Sequence, residues 1–457
     1  MQTTLDKKKL IMWLCVIVFP LAILCIPTGE VFTQPIRLFL AVTLCAILMF
    51  AFELLNNAIP GLLLPLSYLL LGIVPGNIAF SAWTGNVPWM IMGGLLIAGT
   101  FTRVGILKRV AYWCIIKSGA SYRGILFGLW LTGLILSLAI PNQAFIPMAA
   151  LTYGICNALN IGKSPEAAGI MLTGAIAAIQ PILFIYNPSY AILEGAALSV
   201  TGATDSWLTY FYHNAPVLVW SLFLVFVVSI MFKPKTPING KDYFVQAYAD
   251  LGPMSFDEKK ACVVSFVLLG LLLTTNVHKI AAGWCFVLVA LLMYLPGLSL
   301  ANDEDLRNLN FPFVIFVAGC IGIGSAASAI GIGDIVSDLM LPLLSNMGTT
   351  GILMSVWFLC VALNLLMTPL AIWSLVAAPL ASVALALGID PAVFLYTIFQ
   401  GTDQIFMPYE YASYLIYFSF GLIYLKDFIK LFTVKTILNA VFMVAILIPY
   451  WHIIGLI

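Results

Sequence analysis

Charge is what this sequence has least of. Only 9% of its 457 residues are Asp, Glu, Lys or Arg, against about 25% in an average soluble domain. The formal net charge is +1, which leaves no basic field for a nucleic-acid partner. Histidine is scarcer still, and His213, His278 and His452 all fall at expected loop or helix ends. None of the nine cysteines forms a Cys-x-x-Cys or stands at metal-ligand spacing from a histidine. They read as packing residues, and no metal centre is expected. Paired aspartate motifs and His–Glu clusters are missing as well, and Asp303-Glu304-Asp305 lacks the spacing of a magnesium–diphosphate motif. No catalytic residue or organic cofactor is expected, and an enzyme is a distant alternative.

What is present is hydrophobicity. Apolar residues make up 62% of the chain, and the mean hydropathy is +1.08. Apolar runs of roughly 18–25 residues recur from Leu10 onward, long enough to cross a hydrocarbon core of about 30 Å as helices. The chain therefore reads as an all-α polytopic membrane protein. Its first apolar run follows Lys7-Lys8-Lys9 without an Ala-x-Ala site, so it is expected to be a retained helix.

Basic residues orient such a chain. The N-terminal lysines, the segment 103–123, the polar loop 233–260 and a turn with Lys426, Lys430 and Lys435 are assigned to the cytoplasm. The acids around Glu194–Asp205 and Asp334–Asp338 go outside, as does the C-terminus. About eleven full crossings result, provided that 121–160 and 349–388 only enter the membrane and turn back. Each of these regions has prolines and polar residues at its middle, as a re-entrant hairpin would.

The two halves of the chain resemble each other. Asn86-x-Pro88 matches Asn310-x-Pro312, Gly105 matches Gly331, Ser164-Pro165 matches Asp390-Pro391, and Pro181 matches Pro408. An inverted repeat with interrupted helices at matching positions marks a secondary transporter, and the interruptions mark its binding site. Here they are Pro141-Asn142-Gln143, the stretch 179–190, the stretch 364–374 and the stretch 400–413. Asp403 and Glu410 are ionisable groups expected at membrane depth, which makes them functional candidates. Asn142, Gln143, Asn187 and Thr368 are candidates for solute contact, whereas Gln180 and Asn364 read as structural.

These residues, in this order, resemble the divalent anion:sodium symporter family of dicarboxylate, citrate and sulfate carriers, over nearly the whole chain. Ser137-Leu138-Ala139-Ile140-Pro141-Asn142-Gln143-Ala144 falls on the family's Ser-Asn-Thr hairpin, and Pro408, Gly421 and Asp427 keep their places near the C-terminus. The resemblance implies an elevator-type transporter that works as a homodimer in the plasma membrane, with Na+ or H+ as coupling ion. It implies scaffold helices over 1–120 and a transport domain with the first hairpin and broken helix over 121–206. Further scaffold would cover 207–345, the second hairpin and broken helix 346–425, and a last helix 426–457. It puts Ser137 and Asn142 at a sodium site, with Asn142 and Gln143 facing the substrate, and Asn187 and Ser189 in the first broken-helix loop. The second Ser-Asn-Thr has become Thr368-Pro369-Leu370-Ala371, with no asparagine. Glu410 then either takes the coupling proton or helps to bind a cation, because a bare carboxylate would repel an anion. A carrier of a cationic, zwitterionic or neutral solute is the alternative, and a channel a more distant one.

Overall fold

A computed structural model of the chain describes residues 7–52, 54–139, 144–365 and 368–457. Those residues form an all-helical bundle. Six helices among them are long and apolar enough to cross a membrane, or seven if the pair Trp207–Asn214 and Pro216–Met231, bent by 56°, counts as one span. Shorter apolar helices stand among them, including Phe145–Ala158 and Thr349–Asn364. This is a multi-pass membrane protein. Its outer faces carry exposed Leu14, Ile17, Phe226, Phe266, Leu291 and Val441, a belt suited to lipid.

Helix starts follow the polar-residue-then-proline signals. The Ser164 hydroxyl accepts the Ala167 N–H at 3.2 Å and caps the helix Pro165–Ile179. The Asp390 carboxylate accepts the Ala392 N–H at 2.8 Å and caps Pro391–Thr402. Both caps satisfy N–H groups that a first turn leaves free, and proline there sacrifices no bond. Gly105 and Gly331, paired in the sequence, both adopt left-handed backbone (φ 88° and 75°) just after the helices Val87–Val104 and Phe311–Ala329.

At the centre lies the segment from Pro165 to Thr201, in which every residue from 167 to 197 is buried. Helices Tyr122–Ala139 and Phe145–Ala158 both pack on the Pro165 helix, and Thr349–Asn364 and Pro369–Ala386 both pack on the Pro391 helix. Glycine allows the closest approaches. A Cβ at Gly401 would stand 2.8 Å from the Trp357 carbonyl oxygen, closer than van der Waals contact permits.

Several loop assignments need correction. Lys435 is not part of a solvated basic turn: it sits inside the helix Leu425–Phe442 at 1% exposure. Glu194 is no loop acid but a buried residue of the helix Pro188–Thr201. Asp334 and Asp338 lie within the helix Ile332–Leu344, and the polar loop contains the helix Lys241–Asp250. Asp305 is not simply solvated, because it takes the Arg103 guanidinium at 2.8 Å.

Candidate functional site

The Pro391 helix stops at Thr402, and the chain runs irregularly to a single 3-10 turn, Pro408–Glu410, before the helix Ala412–Ser419. Backbone groups released at such a break need other partners. Asn364 donates its amide Nδ2 to the carbonyls of Thr402 (2.8 Å) and Gln404 (2.9 Å). Lys435 reaches in from the Leu425 helix and donates Nζ to the Asp403 carbonyl (2.5 Å) and to Asp403 Oδ2 (2.6 Å). The Asp403 and Lys435 side chains are 3% and 0% exposed. Burying such a pair gains little over an apolar pair of the same shape, so a role beyond stability is the better explanation. Glu410 folds back on its own loop, and its two oxygens accept the N–H groups of Phe406 (3.1 Å) and Met407 (2.9 Å).

The first break is built from neutral groups. After the Pro165 helix comes a 3-10 turn, Gln180–Leu183, and then Asn187 caps the Pro188 helix. Asn187 Oδ1 accepts from the N–H groups of Ser189 (2.9 Å) and Tyr190 (3.3 Å). Its Nδ2 donates to the carbonyls of Ile182 and Ile185, each at 2.7 Å. One side chain thus ties both edges of the break together. The two breaks meet where Gln180 donates Nε2 to Asp403 Oδ2 at 2.6 Å.

Near one end of the Pro188 helix is a cleft of about 670 Å³ lined by Tyr190, Glu194, Asp205, Thr209, His213 and Asp390, among others. Tyr186 donates to Glu194 Oε2 at 2.7 Å, and the Asp205 N–H donates to Glu194 Oε1. Asp205 Oδ2 accepts the hydroxyls of Tyr190 (3.0 Å) and Tyr396 (2.7 Å). Because Tyr396 has one hydroxyl proton and gives it to Asp205, His213 Nδ1, 2.9 Å away, must be the donor to Tyr396. Burial pushes the Asp205 carboxyl above its ordinary range, against the pull of the two tyrosine donors. Tyr396 and Asp403 stand on one helical segment, about 10 Å apart along its axis at 1.5 Å per residue.

The sequence matches the family model of the sodium:sulfate symporter transmembrane region over residues 7–457. The chain belongs to that family. It is a family of transporters, not of enzymes. Among similar proteins is the sodium-dependent dicarboxylate transporter SdcS of Staphylococcus saprophyticus, 23% identical over 365 residues, which span 73% of this chain and 70% of that one. The chloroplastic dicarboxylate transporter 1 of Arabidopsis thaliana is 25% identical over 209 residues, 42% of this chain and 37% of that one. In fold, the chain is similar to the YdaH transporter of Alcanivorax borkumensis. The TM-score is 0.57 at 14% identity, over 92% of this chain and 99% of the other.

In this member of the sodium:sulfate symporter family, Pro141, Asn142 and Gln143 lie outside the described residues. Ser137, near the end of the Tyr122 helix, is buried, and its hydroxyl has no partner among the described residues. Thr368 stands at the N-cap of the Pro369 helix, half-buried, with no side-chain cap bond. Ser189 opens the Pro188 helix, held through its N–H by Asn187. The sequence reading missed Lys435, Glu194, Asp205 and Tyr396 as site residues, and it treated Gln180 as merely structural. Lys435 lies nine residues beyond Lys426 in a helix that reads as a basic membrane edge, so its burial left no local signal.

Proposed function

We propose that this chain is a secondary active transporter that carries a small dicarboxylate- or sulfate-like anion together with sodium, by an elevator movement. The observation that carries the reading is the meeting of two broken spans at the buried Gln180–Asp403 contact. Half-helix N-termini favour anions and freed carbonyls favour cations, and both kinds of group stand at each break. The names of the Staphylococcus and Arabidopsis relatives make dicarboxylates the first substrates to test.

On this reading Asn142, Gln143, Asn187, Ser189 and Thr368 face the substrate, and Ser137, Asn142, Asp403 and Glu410 serve the coupling ion. The matched helix caps of the two halves support an inverted repeat, in which the regions 121–160 and 349–388 would be the re-entrant hairpins of a chain with about eleven crossings. The scaffold helices dimerise, with the N-terminus cytoplasmic and the C-terminus outside.

Uptake of radiolabelled succinate and sulfate into proteoliposomes tests the proposal. An inward sodium gradient is expected to drive accumulation above equilibrium, and an ionophore that collapses the gradient should abolish it. Accumulation driven by a pH gradient without sodium would overturn the coupling, and equilibration without accumulation would point to a channel.

A further inference from the structure

We propose that Lys435 is a tethered cation, standing at the second break in the place where a monovalent cation from solution would otherwise be held. The inference rests on the sodium-coupled reading and goes beyond it, because it gives the cation position at Asp403 to the protein itself and leaves Ser137, Asn142 and Glu410 to the ion from solution.

Three observations point the same way. The first is the company the ammonium keeps. Three successive carbonyls, those of Thr402, Asp403 and Gln404, lose their helical partners at the end of the Pro391 helix. The Asn364 amide takes the outer two, and the Lys435 ammonium takes the middle one together with Asp403 Oδ2. A carbonyl-rich helix end beside a carboxylate is the environment a cation prefers.

The second is a surplus of oxygen. Asp403 Oδ1, Gln180 Oε1, Asn364 Oδ1 and Gln404 Oε1 are all buried and have no hydrogen-bond partner among the described residues. The residues bearing them are 0–4% exposed. Unsatisfied buried acceptors are costly. Their gathering around one break gives the site more oxygen than a single ammonium, with three N–H donors, can use. Such an oxygen-rich shell fits a hard monovalent cation.

The third is the asymmetry between the halves. At the first break the freed carbonyls of Ile182 and Ile185 take the neutral Asn187 amide, and Ile182 also takes the Tyr210 hydroxyl at 2.8 Å. In sequence, the first hairpin motif has Asn142 and Gln143, whereas the second reads Thr368-Pro369-Leu370-Ala371 and has no side-chain amide. The half whose hairpin motif lacks the amide is the half that has the lysine. A fixed ammonium there removes the need to load an ion at that position.

The test compares the melting temperature of purified wild type, Lys435→Ala, and Lys435→Met/Asp403→Asn. Each is titrated with sodium chloride or methylammonium chloride, with choline chloride holding ionic strength constant. Removal of the lysine stem leaves Asp403 and the carbonyls around a vacated cation position. Sodium and methylammonium are therefore expected to raise the Lys435→Ala melting temperature saturably, by about 5 °C more than they raise wild type. The double variant, which has no buried charge to neutralise, should respond no more than wild type. If Lys435→Ala can be purified only in sodium or methylammonium, that result supports the proposal equally. Responses in Lys435→Ala no larger than in wild type, or equally large in the double variant, would overturn it. Melting requires no transport, so the lysine assignment is decided even if sodium fails to drive uptake.

Discussion

At the scale of single residues, Asn187 shows how one polar side chain can tie the backbone on both sides of a break. It accepts two N–H groups of the Pro188 helix and donates to two carbonyls of the preceding turn. Asn187→Ala removes the cap and strands both ends of the break, and should cost about 2–4 kcal/mol. The measurement is chemical or thermal unfolding in detergent; a loss below ~1 kcal/mol would mean that the break is held by other means. Asp205 supports a prediction about pH. Burial raises its carboxyl pKa, so the folded protein keeps a proton that the unfolded chain has already released. Its contribution to stability is therefore greatest at low pH and falls as pH rises from about 4 through the raised value. Asp205→Asn should flatten that fall in a melting series across pH. Asp305 works in the opposite sense: burial alone would raise it, but the Arg103 hydrogen bonds hold it below its usual range. Its contribution is present above about pH 4 and is lost as the solution is acidified through the lowered value.

At the scale of helices, the legible features were those written in local chemistry. Ser164-Pro165 and Asp390-Pro391 announce two helix starts because a side-chain acceptor and a missing N–H suffice to begin a helix. The breaks after Ile179 and Thr402 could be placed from Pro181 and Pro408 for the same reason. Partners that arrive from distant sequence could not be read. Lys435 faces Asp403 across 32 residues, and Gln180 meets it across 223; neither spacing has a helical or turn signature. Glu194 was misplaced because its neighbours Gly195, Ala196 and Ala197 resemble a loose connection, although here small residues allow close helix packing. Gly401 allows the Pro391 helix to lie against the Thr349 helix, and a Cβ there would meet the Trp357 backbone at 2.8 Å. Because backbone cannot swing aside as a flexible side chain could, Gly401→Ala should cost about 1–3 kcal/mol. An unchanged melting temperature would show that the two helices separate freely.

At the scale of the whole molecule, two clefts lie beside the same end of the Pro188 helix. Gly195, Leu198 and Ser199 line one of about 470 Å³, and Glu194 and Thr201 line the other. In an alternating-access transporter, ligands shift the balance between states that open to different sides. The second cleft joins the Pro188 helix to the loop 202–206 and to the start of the Pro391 helix, so its walls belong to both broken spans. If those spans move as a body, its access to water should depend on sodium and substrate together. Thr204 lines this cleft and is half-buried. A Thr204→Cys substitution in a Cys25→Ser background, which removes the exposed native cysteine, puts a thiol there. A membrane-impermeant maleimide is expected to label that thiol from one side of the membrane only. Sodium with substrate should change the labelling rate severalfold, and sodium or substrate alone should change it less. Equal rates under all four conditions would mean that this end of the two spans is a static wall, and the movement would then have to lie elsewhere in the chain.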